Sequence, residues 1–75
     1  MRVLLFAGLA ESLGTRSVEV EHAATVGELV QQLHERWPQL AQLSYRVAVD
    51  QRYASEADSL AGGEELALIP PVSGG

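Results

Sequence analysis

Residues 66–71, LALIPP, decide the architecture of the chain. Leu66, Ala67, Leu68 and Ile69 are apolar in succession, so a strand here shows apolar side chains to both faces, the pattern of a central position in a sheet. Pro70 and Pro71 lack the amide hydrogen that a ladder requires, and the chain is expected to leave the sheet there as a stiff extended arm. Ahead of the strand, Gly62 and Gly63 supply a turn in which positive φ carries no steric cost.

A central strand needs neighbours, and the flanking sequence offers them. RVLLFA at 2–7 is apolar, carries a β-branched residue and stops at Gly8, which reads as a buried strand. RSVEVE at 16–21 alternates strictly, placing Val18 and Val20 inward and Glu19 and Glu21 in water, as at a half-exposed edge. With a loop over 8–14 between them, these two runs predict an N-terminal hairpin. YRVAVD at 45–50 predicts a third strand with Val47 and Val49 on one face, and Gln51 and Arg52 turn the chain into a short return strand at Tyr53 and Ala54.

One long amphipathic helix is available. Thr25-Val-Gly-Glu28 has the form of a capping box, in which the Thr25 hydroxyl and the Glu28 carboxylate satisfy amides left free at a helix start. Val26, Leu29, Val30, Leu33 and Trp37 recur at helical spacing and are expected in the core; Gln31, Gln32, His34 and Glu35 fall mostly on the other side, and Pro38 ends the run. The order is strand, strand, helix, strand, short strand, strand. One helix across one face of a mixed sheet of about four to five strands is an α+β, β-grasp arrangement. The expected domain covers 1–70, and 71–75 form an extended, flexible C-terminal Gly-Gly tail. Alternation sets Leu4, Phe6, Ala67 and Ile69 on the face opposite Val3, Leu5, Leu66 and Leu68. The helix covers only one of those faces, so the other is expected to be a docking patch.

Composition narrows the chemistry. With 75 residues, 47% of them hydrophobic and 20% charged, the chain suits one small folded domain. Ten carboxylates against five arginines give a net charge of -5, which disfavours nucleic acid and anionic membranes and favours protein partners with basic surfaces. No lysine occurs, so there is no side-chain amine for a Schiff base, a phosphate loop or self-conjugation. No cysteine occurs either, which removes disulfides, zinc-thiolate sites and a side-chain sulfur nucleophile. The first residues carry too short an apolar run for a membrane span and no signal cleavage pattern, so the expected location is cytoplasmic.

The ending Pro70-Pro71-Val72-Ser73-Gly74-Gly75 is the most informative motif. Two residues without side chains follow a stiff stretch, a form able to thread a narrow channel. Five extended residues reach roughly 17 Å at about 3.3 to 3.6 Å each, enough to place a carboxylate deep in another protein. His22 and His34 have no companions at metal-ligand spacing and are expected as exposed polar residues, with no metal site. Glu19 with Glu21, Glu56 with Asp58, and Glu64 with Glu65 are expected as solvated surface carboxylates. No serine sits in a nucleophile elbow, and no glycine-rich phosphate loop precedes the helix.

These residues carry a resemblance over essentially the whole chain. Val3-Leu-Leu-Phe-Ala7, Thr25-Val-Gly-Glu-Leu29, Val47-Ala-Val-Asp-Gln51, Leu60, Gly63-Glu-Glu-Leu-Ala67 and above all Ile69-Pro-Pro-Val-Ser-Gly-Gly75 resemble the ubiquitin-like sulfur carriers of the MoaD and ThiS family, among them the small subunits of molybdopterin synthase. Members often have Asn at the position of Asp50 and Gly-Asp-Glu at that of Gly63-Glu64-Glu65; both changes keep a turn-compatible polar residue. The resemblance implies that Gly75 is the reacting residue, its carboxylate adenylated and then thiocarboxylated, with no catalytic side chain in the chain itself. It implies three protein partners: an adenylating enzyme that uses ATP and magnesium, a sulfur donor, and a large synthase subunit that receives sulfur for the molybdopterin dithiolene. No cofactor is expected to be held stably. Phe6, Tyr53 and Ile69 are implied at the docking surface, with Pro70, Pro71, Val72, Ser73 and Gly74 as the arm. Other expectations compatible with the residues are a carrier for thiamine, cysteine or transfer-RNA thiolation, a ubiquitin-like protein modifier, or a plain interaction module.

Overall fold

A computed structural model describes residues 1–71. The elements are β1 (Arg2–Leu5), α1 (Gly8–Leu13), β2 (Ser17–Glu19), α2 (Val26–Arg36), a 3-10 helix (Pro38–Gln42), β3 (Arg46–Val49), β4 (Arg52–Tyr53) and β5 (Leu66–Ile69). The five strands form one sheet in the order β2-β1-β5-β3-β4. β5 is central, parallel to β1 and antiparallel to β3, while β2 and β4 are antiparallel edge strands. The mixed sheet with one main helix is the expected β-grasp.

The expected core face is present. Val3, Leu5, Leu66, Leu68 and Val47 from the sheet meet Val26, Leu29 and Leu33 from α2, all buried. Each such side chain contributes about 1.5–3 kcal/mol by leaving water. Trp37, expected in the core, is half-buried at the cluster margin where α2 ends, with Arg36 stacked on its ring at 4.8 Å. Leu40 of the 3-10 helix and Leu60, in the segment between β4 and β5, also join the core, where the sequence pattern alone does not place them.

Where a loop over 8–14 was expected, Gly8–Leu13 form a helix capped by Gly14. Six residues are too few to hold a helix by propensity; Leu9 buries itself in the core, and Gly14 at φ 73° closes the last turn by donating its amide to Ala10 O at 2.9 Å. At α2, Thr25 Oγ1 accepts from Glu28 N at 3.2 Å as expected. The Glu28 carboxylate, however, receives the Thr25 hydroxyl at 3.4 Å and not a backbone amide. The loop at 55–59 supplies what that carboxylate does not: Val26 N donates to Asp58 O and Gly27 N to Glu56 O, each at 3.0 Å. A side chain at Gly27 would meet Glu56 O at 3.3 Å, so glycine permits this close approach.

The acidic pairs differ from the expectation in one respect. Glu64 is tied by both oxygens to the turn before β5, accepting from Ala61 N and Gly62 N at 2.7 Å each. The Ala61 amide first, then those of Glu64 itself and Gly62 and the charge of His22, hold its carboxyl below the usual carboxylate range, with desolvation opposing them. His34, expected as exposed, is half-buried with Nε2 2.6 Å from the Tyr45 hydroxyl. Burial first, and the charge of Glu56 second, raise the Tyr45 phenol above its ordinary value. Among the described residues no helix is long and apolar enough to cross a membrane.

Candidate functional site

The face of the sheet away from α2 is uncovered. Ladder register draws a row straight across it: Ser17 beside Leu4, Leu4 beside Ala67, Ala67 beside Ala48, and Ala48 beside Tyr53. Ala48 and Ala67 are 3% and 8% exposed although no element lies over them; the larger side chains around them shield these small ones. The result is a groove of about 280 Å³ with Ala48 and Ala67 as floor, Leu4, Phe6 and Ile69 as apolar walls, and Gln51 and Glu65 at one end. Phe6, just past the end of β1, is 48% exposed and Tyr53 54% exposed, and both stand on this face. Among the described residues Leu43 is the third large apolar side chain so exposed.

Three of the expected docking residues therefore share this face: Phe6 and Ile69 line the groove, and Tyr53 stands outside it on the edge strand. Ile69 ends β5, and Pro70 and Pro71 follow it outside the ladder, the first half-buried and the second exposed. Val72, Ser73, Gly74 and Gly75 lie outside the described residues. Ala48 and Arg46 belong to the same face and were not singled out beforehand. The signal was there in YRVAVD, since positions 46 and 48 alternate with Val47 and Val49.

The turn between β3 and β4 bounds the groove. Asp50 and Gln51 are its two central residues, with φ of 50° and 68°, in the form that joins twisted antiparallel strands. The expected turn lay one residue later, and β4 is accordingly Arg52–Tyr53 where 53–54 was expected. Asp50 N donates to Glu65 O at 2.8 Å and Asp50 Oδ1 accepts from Glu65 N at 2.9 Å, which fastens this turn to the start of β5.

The groove lining holds no serine, threonine or histidine, and its one ionisable side chain is Glu65. Among the described residues no three His, Cys, Asp or Glu side chains are placed to hold a metal ion. The arrangement is an apolar surface with a carboxylate and an amide at one end, a form suited to recognising an apolar surface.

Comparison with known proteins agrees with this architecture. The description of the ThiS family matches residues 3–75. A protein of Mycobacterium tuberculosis named molybdopterin synthase sulfur carrier subunit is 38% identical over 80 residues, covering 100% of this chain and 96% of the relative. Small archaeal modifier protein 1 of Haloferax volcanii is 37% identical over 83 residues, covering 95% of each. The crystal structure of SAMP1 from Haloferax volcanii superposes with a TM-score of 0.82 at 35% identity, covering 99% of this chain and 97% of that one.

Proposed function

The chain belongs to the ThiS family, and from that footing we propose that it is a sulfur carrier whose Gly75 carboxylate becomes a thiocarboxylate serving molybdopterin synthesis. The observation that carries this reading is the double position of Ile69. It walls the apolar groove and is also the last ladder residue before Pro70-Pro71-Val72-Ser73-Gly74-Gly75. A partner that docks on the open face therefore receives the root of the arm in a fixed place.

The chemistry accounts for the partners. A free α-carboxylate has a pKa of about 3.3 to 3.7, so it is an anion at neutral pH and resists nucleophiles. An adenylating enzyme supplies ATP and magnesium; a carboxylate oxygen attacks the α-phosphorus, pyrophosphate leaves, and an acyl adenylate forms. A donor of sulfur at the oxidation level of sulfide then attacks the acyl carbon through that sulfur. The carbon–sulfur bond forms, the bond to the AMP oxygen breaks, and AMP departs. The thiocarboxylate is a sulfur nucleophile that a large synthase subunit uses to build the dithiolene. Phe6, Tyr53 and Ile69 dock, Pro70 to Gly74 thread the channel, and the magnesium and nucleotide belong to the activating enzyme.

The test is the intact mass of the chain after incubation with its host's adenylating enzyme, Mg-ATP and a sulfur donor. A gain of about 16 Da localised to Gly75, sulfur for oxygen at an activated acyl group, is the expected result. No gain, with the enzyme active on another carrier, refutes it. The likeness to a small archaeal modifier protein favours a second reading, conjugation of Gly75 to amines of other proteins. Higher-mass adducts in host extract that vanish when Gly75 is deleted would support that reading; a lysine-free chain could be joined singly but not into lysine-linked chains.

A further inference from the structure

The open face carries an oriented charge at the end where the arm departs. Arg46 begins β3 and stands opposite Ile69 in the ladder, on the same face as Ala48 and Tyr53. Its guanidinium lies 4.1 Å from the centre of the Tyr53 ring. Stacking of this kind holds the planar head group in one place and leaves its edge donors free. Glu56 lines the neighbouring edge groove with Arg46, yet no ion pair joins them; the ion pair found among the described residues is between the Met1 amine and Glu19. The opposite end of the face is bounded by Asp50 and Glu65. A chain of net charge -5 thus presents a cation beside the root of its arm and carboxylates at the far end.

A planar guanidinium with free donors next to an apolar groove is complementary to a carboxylate, which it can take through two parallel hydrogen bonds. Arg46 stands beside Ile69, six residues before Gly75, so its place is in docking and not at the reacting carboxyl. Resting on the carrier reading above, we infer that Arg46, held by Tyr53, is the charged anchor of the docking face and receives an aspartate or glutamate of the large synthase subunit beside the mouth of its channel. The apolar walls supply contact area, and this pair sets the orientation in which the arm enters.

The experiment is calorimetric affinity of the full chain for its host's large subunit at low and high salt, with Arg46→Glu, Arg46→Gln and Arg52→Glu. Arg52 is exposed, but it pairs with Val49 and so belongs to the other parity of the sheet. R46E is expected to bind at least about tenfold more weakly, since like charges then face each other. R46Q is expected to bind severalfold more weakly and with a flatter salt dependence. R52E, the same change in net charge, should stay within about twofold, and thermal melts of all three should match the unsubstituted chain. The inference is overturned if R46E and R46Q bind like the unsubstituted chain, or if R52E weakens binding as much as R46E. It also falls, with the carrier reading intact, if the unsubstituted chain gains sulfur on Gly75 but does not bind the large subunit. Absence of both binding and mass gain removes the carrier reading itself.

Discussion

At the β3–β4 turn two successive residues other than glycine hold positive φ, Asp50 at 50° and Gln51 at 68°, and they are not equivalent. Asp50 uses its conformation: its carboxylate accepts the Glu65 amide at 2.9 Å, and Asp tolerates the left-handed region better than most residues. Gln51 has only a 3.5 Å approach of its side-chain amide to Glu65 Oε1 on an exposed surface, too long to contribute much. A left-handed residue with a Cβ costs about 1–2 kcal/mol. Glycine at the same position relieves that cost but adds about 0.4–1 kcal/mol of unfolded-state entropy to be lost. Gln51→Gly should therefore stabilise the chain by about 0.5–1 kcal/mol, which for a domain of this size raises Tm by roughly 2–8 °C. Asp50→Gly should lower it, because the Glu65 amide loses its partner. Thermal and urea unfolding of both variants measure the difference. A fall in stability for Q51G, or an equal rise for D50G, would refute the assignment of strain to Gln51.

The other predictions concern the core, the two shifted titrations and the groove. Leu68→Ala removes a fully buried side chain from the central strand and should cost about 2–5 kcal/mol in urea unfolding, a large share of what a small domain has. Glu64 has a lowered folded-state pKa, so its contribution is present above its unfolded value near 4.5 and is lost as pH falls through the folded value. Glu64→Gln should flatten the acid side of the stability profile, and an unchanged profile would count against the two amide contacts. Tyr45 has a raised folded-state pKa, so its contribution is complete below the ordinary value of 10.0 and declines as pH rises through the folded value. Tyr45→Phe should make alkaline unfolding less steep, as followed by circular dichroism. Ala67→Phe should fill the groove and abolish docking to the large subunit, while Phe6→Ala should weaken docking with a melt near that of the unsubstituted chain.

What the sequence disclosed was set by how local each signal is. The central strand was legible because four apolar residues in succession followed by two prolines admit few other readings, and α2 because its stripe is periodic over three turns. The helix at Gly8–Leu13 was not, since six residues give too short a stripe and its stability comes from burying Leu9, a tertiary effect. The half-buried place of His34 was equally hidden: only the fold brings Tyr45, eleven residues on, to its ring. On the open face Phe6 and Ile69 followed from strand parity together with the resemblance. Alternation in YRVAVD is enough to set Arg46 on that face, but its stack on Tyr53 is a contact between β3 and β4 that only the fold supplies.

The central place of β5 bears directly on how a carrier of this size would work. A strand at the sheet edge has one ladder and frays, and an arm leaving it would have a poorly fixed root. Here Ile69 is the last residue of a strand held on one side by β1 in parallel and on the other by β3 in antiparallel register, and Leu66 and Leu68 are anchored beneath it against α2. Those two ladders fix where the chain leaves the sheet relative to Phe6 and Arg46. The same succession of apolar residues that makes β5 central puts Ala67 on the open face, so one four-residue segment supplies the core, the groove floor and the root of the arm. On the proposed carrier reading, docking and delivery would be a single geometric event: a partner seated on the groove would already have located Ile69, and through it the point from which Gly75 must be reached. A substitution that shifts β5 by even one register position would invert its faces, burying Ala67 and Ile69 and exposing Leu68. It should abolish folding and docking together, whereas changes at Phe6 or Arg46 should separate the two.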